Sequence, residues 1–118
     1  MSAWQRRLGR LPAWELGSGL RVHDARGVGA RRRGLGGLDA LPAECALHLR
    51  ARAVHTFTMR FALDLIWLGR DGEVVRVDRH VGPRRHRACA RARAVIETNA
   101  GCADHFLSEG VGGYTSAR

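Results

Sequence analysis

Three side chains with acid–base and anion-binding chemistry lie close together near the middle of this 118-residue chain: His55, Arg60 and Asp64. An imidazole and a carboxylate can exchange protons near neutral pH. A guanidinium, from Arg60 or from Arg33 further upstream, can hold an anionic substrate. One hypothesis is therefore a small enzyme in which His55 and Asp64 form an acid–base pair acting on an anionic substrate.

The same stretch also suits a binding surface, because Phe57 and Met59 place an aromatic ring and a thioether beside His55, Arg60 and Asp64. We favour this second hypothesis, a non-catalytic binding or accessory module for a small ligand or a protein partner. The chain has no recognisable nucleophile, metal cage or cofactor loop. We expect no cofactor, and the sequence does not identify the ligand, the partner or the oligomeric state.

Two strand-like runs position these residues. The apolar run from Val54 to Leu68 is the longest in the chain, and a second run covers Glu73 to Val77. Asp71-Gly72 lies between them, and an Asp-Gly pair between such runs is typical of a β-hairpin. We therefore predict that Ile66–Leu68 pairs antiparallel with Val74–Arg76.

Side chains alternate along a strand, so Asp64 shares one face with Ile66 and Leu68, while Leu63 and Leu65 share the other. Both faces are largely apolar, which predicts a strand covered on both sides. A carboxylate in such a layer needs hydrogen-bond donors. We expect Asp64 to anchor the loop from His55 to Arg60 by accepting backbone amides or the Arg60 side chain.

Other segments predict further elements. A short helix is expected at Val28–Arg33, despite the surrounding glycines. Strands are expected at Gly19–Asp24 and Cys45–Leu49, and a loop at the basic run that ends at Arg87. Asn99 is expected to cap a short helix that ends near Leu107.

The run from Val54 to Asp64, followed by further apolar residues and by Asp71-Gly72-Glu73-Val74, resembles the signature of the domain-of-unknown-function family DUF-192. Three flanking segments are similar to the family as well: Arg33-Gly34-Leu35, Leu41-Pro42-Ala43-Glu44 and the segment from Ala94 to Gly101. The resemblance implies a mainly β domain whose molecular activity is not settled.

The predicted fold is accordingly mainly β, a compact single-domain β-sandwich or barrel-like fold with one or two short helices. Its boundaries are residues 19–112, with a basic N-terminal arm at 1–18 and a frayed tail at 113–118. The chain departs from the family pattern at Ala62, where the family has proline, at Leu38, at Gly113 and around Ala51–Ala53. We expect these departures to affect function more than fold.

The charge of the chain is +9, and lysine is absent, so all 20 basic residues are arginine. Arginines cluster at three separate places, without interleaved aromatic residues that would stack on bases. Nucleic acid is therefore an unlikely partner except through non-specific phosphate contacts. Arginine without lysine is typical of a genome-wide coding bias.

The three cysteines, Cys45, Cys89 and Cys102, are scattered and form no Cys-x-x-Cys pair, so the sequence predicts no metal site. No run of about 18 apolar residues could span a membrane, and the first dozen residues lack the apolar core of a secretory signal. We expect a cytoplasmic protein without a membrane partner.

Overall fold

The structure is a computed structural model that describes residues 1–111, so the predicted tail at 113–118 lies outside the described residues. Within residues 1–111, eight strands and three short α-helices follow one another. Their bounds are α1 Ala3–Leu8, β1 Ala13–Glu15, β2 Arg21–Asp24, α2 Val28–Arg33, β3 Cys45–Leu49, β4 Ala53–His55, β5 Leu63–Leu68, β6 Val74–Val81, β7 His86–Ala88, β8 Ala94–Asn99 and α3 Ala103–Ser108.

Six of the strands form one sheet in the order β1-β2-β3-β8-β5-β6, and β4 pairs with β7 in a separate two-stranded sheet. The β2–β3 pair is parallel, with α2 in the connection between them, and every other pair is antiparallel. The prediction of a compact, mainly β, sandwich-like domain is confirmed. The large sheet is open rather than closed into a barrel, and residues 1–111 contain three short α-helices rather than one or two.

The central hairpin is antiparallel as predicted and has the predicted pair at Leu68 and Val74, but a bulge between Trp67 and Leu68 shifts the remaining pairs by one residue. Ile66 pairs with Val77, Trp67 with Arg76 and Leu68 with Val74. Gly72 at its turn has φ of +81°, a conformation that glycine adopts without steric strain.

Every residue of β5 is buried, so the prediction of a strand covered on both faces is confirmed. Leu63, Leu65 and Trp67 face a core that includes Leu8 of α1. Ile66 and Leu68 face a second core, which includes Phe106 of α3. The large sheet thus separates two apolar layers, and the alternation of side chains decides which layer each residue enters.

The first 18 residues contain regular structure. Ser2 caps α1 through a capping box with Gln5, and Leu8 at the end of that helix is fully buried. Strand β1 then pairs antiparallel with β2 and forms one edge of the large sheet. The stretch predicted as an N-terminal arm therefore contributes a helix and an edge strand to the fold.

The helix at Val28–Arg33 and the strand at Cys45–Leu49 are confirmed, while two local predictions were wrong. The basic run does not stay a loop as far as Arg87, because His86–Ala88 pairs with β4. Asn99 does not cap a helix, since α3 begins at Ala103 after Cys102, and the Asn99 side chain donates instead to the carbonyl of Leu41. Within residues 1–111, no helix is long and apolar enough to cross a bilayer.

Candidate functional site

A cleft of about 670 Å³ lies over one face of the large sheet, within the size range of small-molecule sites (about 300–1,000 Å³). One wall is α2 with the glycine-rich turn that follows it. The opposite wall is the end of β3 together with β4, and Glu97 of β8 also lines the cleft.

Glu97 is buried, with 6% of its surface exposed, and pairs in register with Leu47 of β3 and Leu65 of β5. Its carboxyl group has no hydrogen bond or ion pair with another side chain anywhere in residues 1–111. Burial raises the pKa of Glu97 to about 7, because removal from water disfavours the charged form. A carboxyl group that has no partner, on a buried residue that opens into a cleft, is a group that a ligand could satisfy.

Four arginines line the cleft: Arg31, Arg32 and Arg33 in the last turn of α2, and Arg50 just after β3. All four are exposed, and none forms an ion pair with a carboxylate of the described chain. Guanidinium groups bind carboxylates and phosphates through paired N–H donors. The mouth of the cleft therefore presents unpaired positive charge.

Hydrogen bonds from an arginine of α1 hold the turn after α2, which forms part of this wall. Arg7 Nη1 donates to the carbonyl oxygen of Gly34 at 3.1 Å and to that of Gly36 at 2.8 Å. Gly34 has φ of +47°, and a Cβ atom at this position would lie 3.8 Å from Glu97 Oε1. The glycine turn thus passes directly beside the buried carboxyl group.

Three of the six residues predicted for a binding site line this cleft: Arg33, His55 and Met59. Phe57 stacks on His55 at the β4 side, with ring centroids 5.2 Å apart, and 61% of its surface is exposed. Arg60 points elsewhere and pairs with the exposed carboxylate of Asp39 at 2.6 Å.

Asp64 lies on the opposite face of the sheet. It is fully buried, and its carboxylate accepts three backbone amides: His80 at 2.9 Å, Gly101 at 2.9 Å and Ala103 at 3.0 Å. The expectation that Asp64 accepts backbone amides holds, but the predicted partner loop was wrong. It anchors the end of β6 and the turn before α3.

The loop from His55 to Arg60 is anchored by Thr56 instead. This buried threonine donates through Oγ1 to the carbonyl of Gly82 at 2.7 Å and accepts the amide of Arg85 at 2.9 Å. Since the sheet lies between Asp64 and the cleft, the structure does not bring His55 and Asp64 together as an acid–base pair.

The DUF192 family model, whose description is "Uncharacterized ACR", matches residues 15–111. The chain belongs to the DUF192 family. No curated protein matches it.

Two solved structures share this DUF192 fold. A protein of unknown function from Novosphingobium aromaticivorans DSM 12444 is 20% identical, with a TM-score of 0.65, and the match covers 86% of this chain and 89% of that one. A putative transcription regulator from Sinorhizobium meliloti 1021 is 19% identical, with a TM-score of 0.66, covering 75% and 74%. At these identities the similarity concerns the fold alone.

The departures from the DUF192 pattern differ in their relation to the cleft. Leu38 is buried in the core, and the carbonyl of Ala62 accepts the amide of Ala100 at 3.2 Å, a role that a proline carbonyl would serve equally. Ala51 and Ala53 line the cleft. Gly113 lies outside the described residues. Of the departures within residues 1–111, the one at Ala51–Ala53 is therefore the one that adjoins the cleft.

Glu97 is the site residue that the sequence reasoning missed. It belongs to the segment from Ala94 to Gly101 that resembles the family, and its sequence pattern is the same as that of Asp64. Each is a lone carboxylate in a strand of otherwise apolar or uncharged residues. Which of the two faces a cleft depends on the pairing of distant strands, and sequence spacing does not contain that information.

Proposed function

We propose that this DUF192 chain is a non-catalytic binding module whose cleft between α2 and β4 binds a small anionic molecule. One observation carries the proposal: an unpartnered buried carboxyl group lies in a cleft lined by four exposed arginines that lack ion-pair partners in the described chain. The arginines supply attraction for an anion, and the walls of the cleft supply shape and specificity.

Glu97 also favours a second candidate, an enzyme in which this carboxyl group acts as a general acid or base. A pKa of about 7 is the value at which a group exchanges protons efficiently near neutral pH. We place this candidate second because no other carboxylate of the described residues lines the cleft, and because the exposed His55 is stacked on Phe57 rather than hydrogen-bonded to Glu97.

The cysteines give this second candidate no nucleophile. Cys45, Cys89 and Cys102 are all free, and none of them lines the cleft. Burial raises the pKa of the Cys45 and Cys102 thiols, which reduces their reactive thiolate fraction. Free thiols suit a reducing compartment, and a cytoplasmic location is part of our proposal.

The proposal is tested first by native mass spectrometry of the purified protein, before and after denaturation. A bound anion should appear as extra mass on the native protein and be released on unfolding. Incubation of the recovered molecule with fresh protein separates the two candidates, because a binding module returns it unchanged and an enzyme converts it.

Removing two cleft arginines should weaken anion binding. For Arg32→Gln with Arg50→Gln, we expect affinity for phosphate, sulfate or citrate to fall by about tenfold or more, because each charged hydrogen bond contributes about 1.5–3 kcal/mol. Isothermal titration calorimetry at fixed ionic strength measures this.

The matched control is Arg10→Gln with Arg70→Gln. It removes the same net charge from two exposed arginines outside the cleft. An equal loss of affinity in both double variants would show that the anions respond to overall charge, and the cleft would lose its role.

Binding to DNA or RNA, where it occurs, should be independent of sequence. Several exposed arginines lie outside the cleft. Two of them already donate hydrogen bonds within the protein, Arg91 to the carbonyl of Val75 and Arg52 to the carbonyl of Ala92. We expect affinity to fall about tenfold or more between about 50 and 200 mM salt, because released counterions drive such binding. Fluorescence anisotropy with two unrelated duplexes measures it, and selective binding that persists at high salt would contradict the prediction.

A further inference from the structure

The polar groups of the cleft are arranged by depth. Arg31, Arg32, Arg33 and Arg50 are exposed and surround the mouth, whereas Glu97 is buried at the floor. A ligand that satisfies both must carry its anionic group at the outer end and its hydrogen-bonding group at the inner end.

The inner end is best matched by hydroxyl groups. The pKa of Glu97 is about 7, so both the carboxylate and the carboxylic acid are populated at neutral pH. A hydroxyl group donates to the carboxylate and accepts from the carboxylic acid, whereas an ammonium group can only donate. Hydroxyl groups therefore satisfy Glu97 in either protonation state.

The outer end is best matched by a phosphate ester. A phosphate monoester carries nearly two negative charges and three terminal oxygens that accept hydrogen bonds. It can therefore engage several guanidinium groups at once, whereas a carboxylate is saturated by one or two. Four unpaired arginines around one mouth suit the more highly charged group.

Apolar side chains complete the lining between mouth and floor, including Leu49, Val54 and Met59. The stacked rings of His55 and Phe57 lie at the β4 side. A sugar ring presents C–H groups on its faces and hydroxyl groups around its edge. This combination fits a lining that is apolar on its walls and polar at its floor.

We propose that the cleft binds a phosphorylated sugar, with the phosphate among the arginines at the mouth and a sugar hydroxyl group on Glu97 at the floor. The proposal deepens the proposed function and rests on it, since it names the class of anion that the same cleft takes.

The test compares four probes by isothermal titration calorimetry at pH 7 and constant ionic strength: glucose 6-phosphate, inorganic phosphate, glucose and phosphoethanolamine. We expect glucose 6-phosphate to bind at least about tenfold more tightly than phosphate, because the sugar adds hydrogen bonds at a buried charged group. Glucose should bind more weakly than either, since it lacks the anion.

Glu97→Leu provides the matched variant, because leucine fills a buried position without leaving a polar group behind. This variant should lose the preference for glucose 6-phosphate over phosphate and keep its affinity for phosphate. Arg32→Gln with Arg50→Gln should weaken both ligands together.

The outcomes separate this inference from the proposed function. Equal binding of glucose 6-phosphate and phosphate, tighter binding of phosphoethanolamine, or a preference that survives Glu97→Leu would overturn the sugar phosphate while leaving an anion site. Binding of citrate or sulfate, with no binding of inorganic phosphate or glucose 6-phosphate, would also overturn the sugar phosphate and leave an anion site. Failure of every anion to bind would overturn the proposed function itself.

Discussion

Replacing Asp64 with alanine is expected to lower the free energy of unfolding by about 3–6 kcal/mol, because a buried donor left without an acceptor costs about 1–3 kcal/mol and water can replace part of the loss at the two partly buried donors. Three amides lose their acceptor together, those of His80, Gly101 and Ala103. A typical domain has only about 5–15 kcal/mol of stability in total, so the loss removes a large part of it.

Asp64→Asn should be milder, because the asparagine carbonyl can replace one carboxylate oxygen. The amides of Gly101 and Ala103 share Oδ2, whereas His80 alone donates to Oδ1. With the asparagine oxygen at the Oδ2 position, its amino group faces the His80 amide, and two donors meet. We expect a loss of about 1–3 kcal/mol from that single unsatisfied contact.

Urea unfolding at neutral pH measures both variants, and Asp39→Asn is the matched control. Asp39 forms an exposed ion pair with Arg60, and such pairs contribute only about 0–1 kcal/mol. Hydrogen exchange gives a local readout, since the amide of His80 should exchange faster in Asp64→Asn, whereas those of Gly101 and Ala103 keep an acceptor. Unchanged stability in both Asp64 variants would show that these hydrogen bonds do not support the fold.

Local patterns in the sequence predicted the centre of the fold well. The Asp-Gly turn determined the hairpin, and the alternation from Leu63 to Leu68 determined which side chains enter each core. Such signals need only the period of a strand and the geometry of a tight turn. Both are properties of a few consecutive residues.

Long-range pairings were not predictable in the same way. His55 pairs with His86, and Thr56 bonds to Gly82 and Arg85, all about 30 residues downstream. Short polar segments carry little information about their partners, because many registers bury similar surfaces. The same limitation affected the prediction of the site. His55 and Asp64 are close in sequence, but the sheet separates them. Arg33, His55 and Glu97 are distant in sequence and line one cleft.

A second large effect is expected at Glu97, where replacement by glutamine should stabilise the protein at alkaline pH. Burial raises the pKa of Glu97 from 4.5 to about 7 in the folded protein. The folded state therefore binds this proton more tightly than the unfolded state does. The stabilisation from the bound proton is complete below the unfolded pKa and is lost as pH rises through about 7.

The size of the effect follows from the same shift. Raising a carboxyl pKa from 4.5 to about 7 corresponds to about 3 kcal/mol, at about 1.4 kcal/mol for each tenfold change in proton affinity. Above pH 7 the parent protein carries this penalty as a buried, unpaired carboxylate. Glutamine has no proton to lose, and part of the stabilisation is already lost at pH 5, so the variant should gain about 2.5 kcal/mol relative to the parent between pH 5 and pH 8.

Urea unfolding of the parent and Glu97→Gln at pH 5, 6, 7 and 8 tests this through the difference between the two curves. Burial lowers the pKa of His23, but that histidine is common to both proteins and cancels in the difference. Glu44→Gln, at an exposed position, should show a flat difference and serves as the control. Parallel curves for the parent and Glu97→Gln would mean that Glu97 ionises as freely as a surface carboxylate. The cleft floor would then hold an ordinary solvated charge, and the case for a hydroxyl-bearing ligand at that position would fail with it.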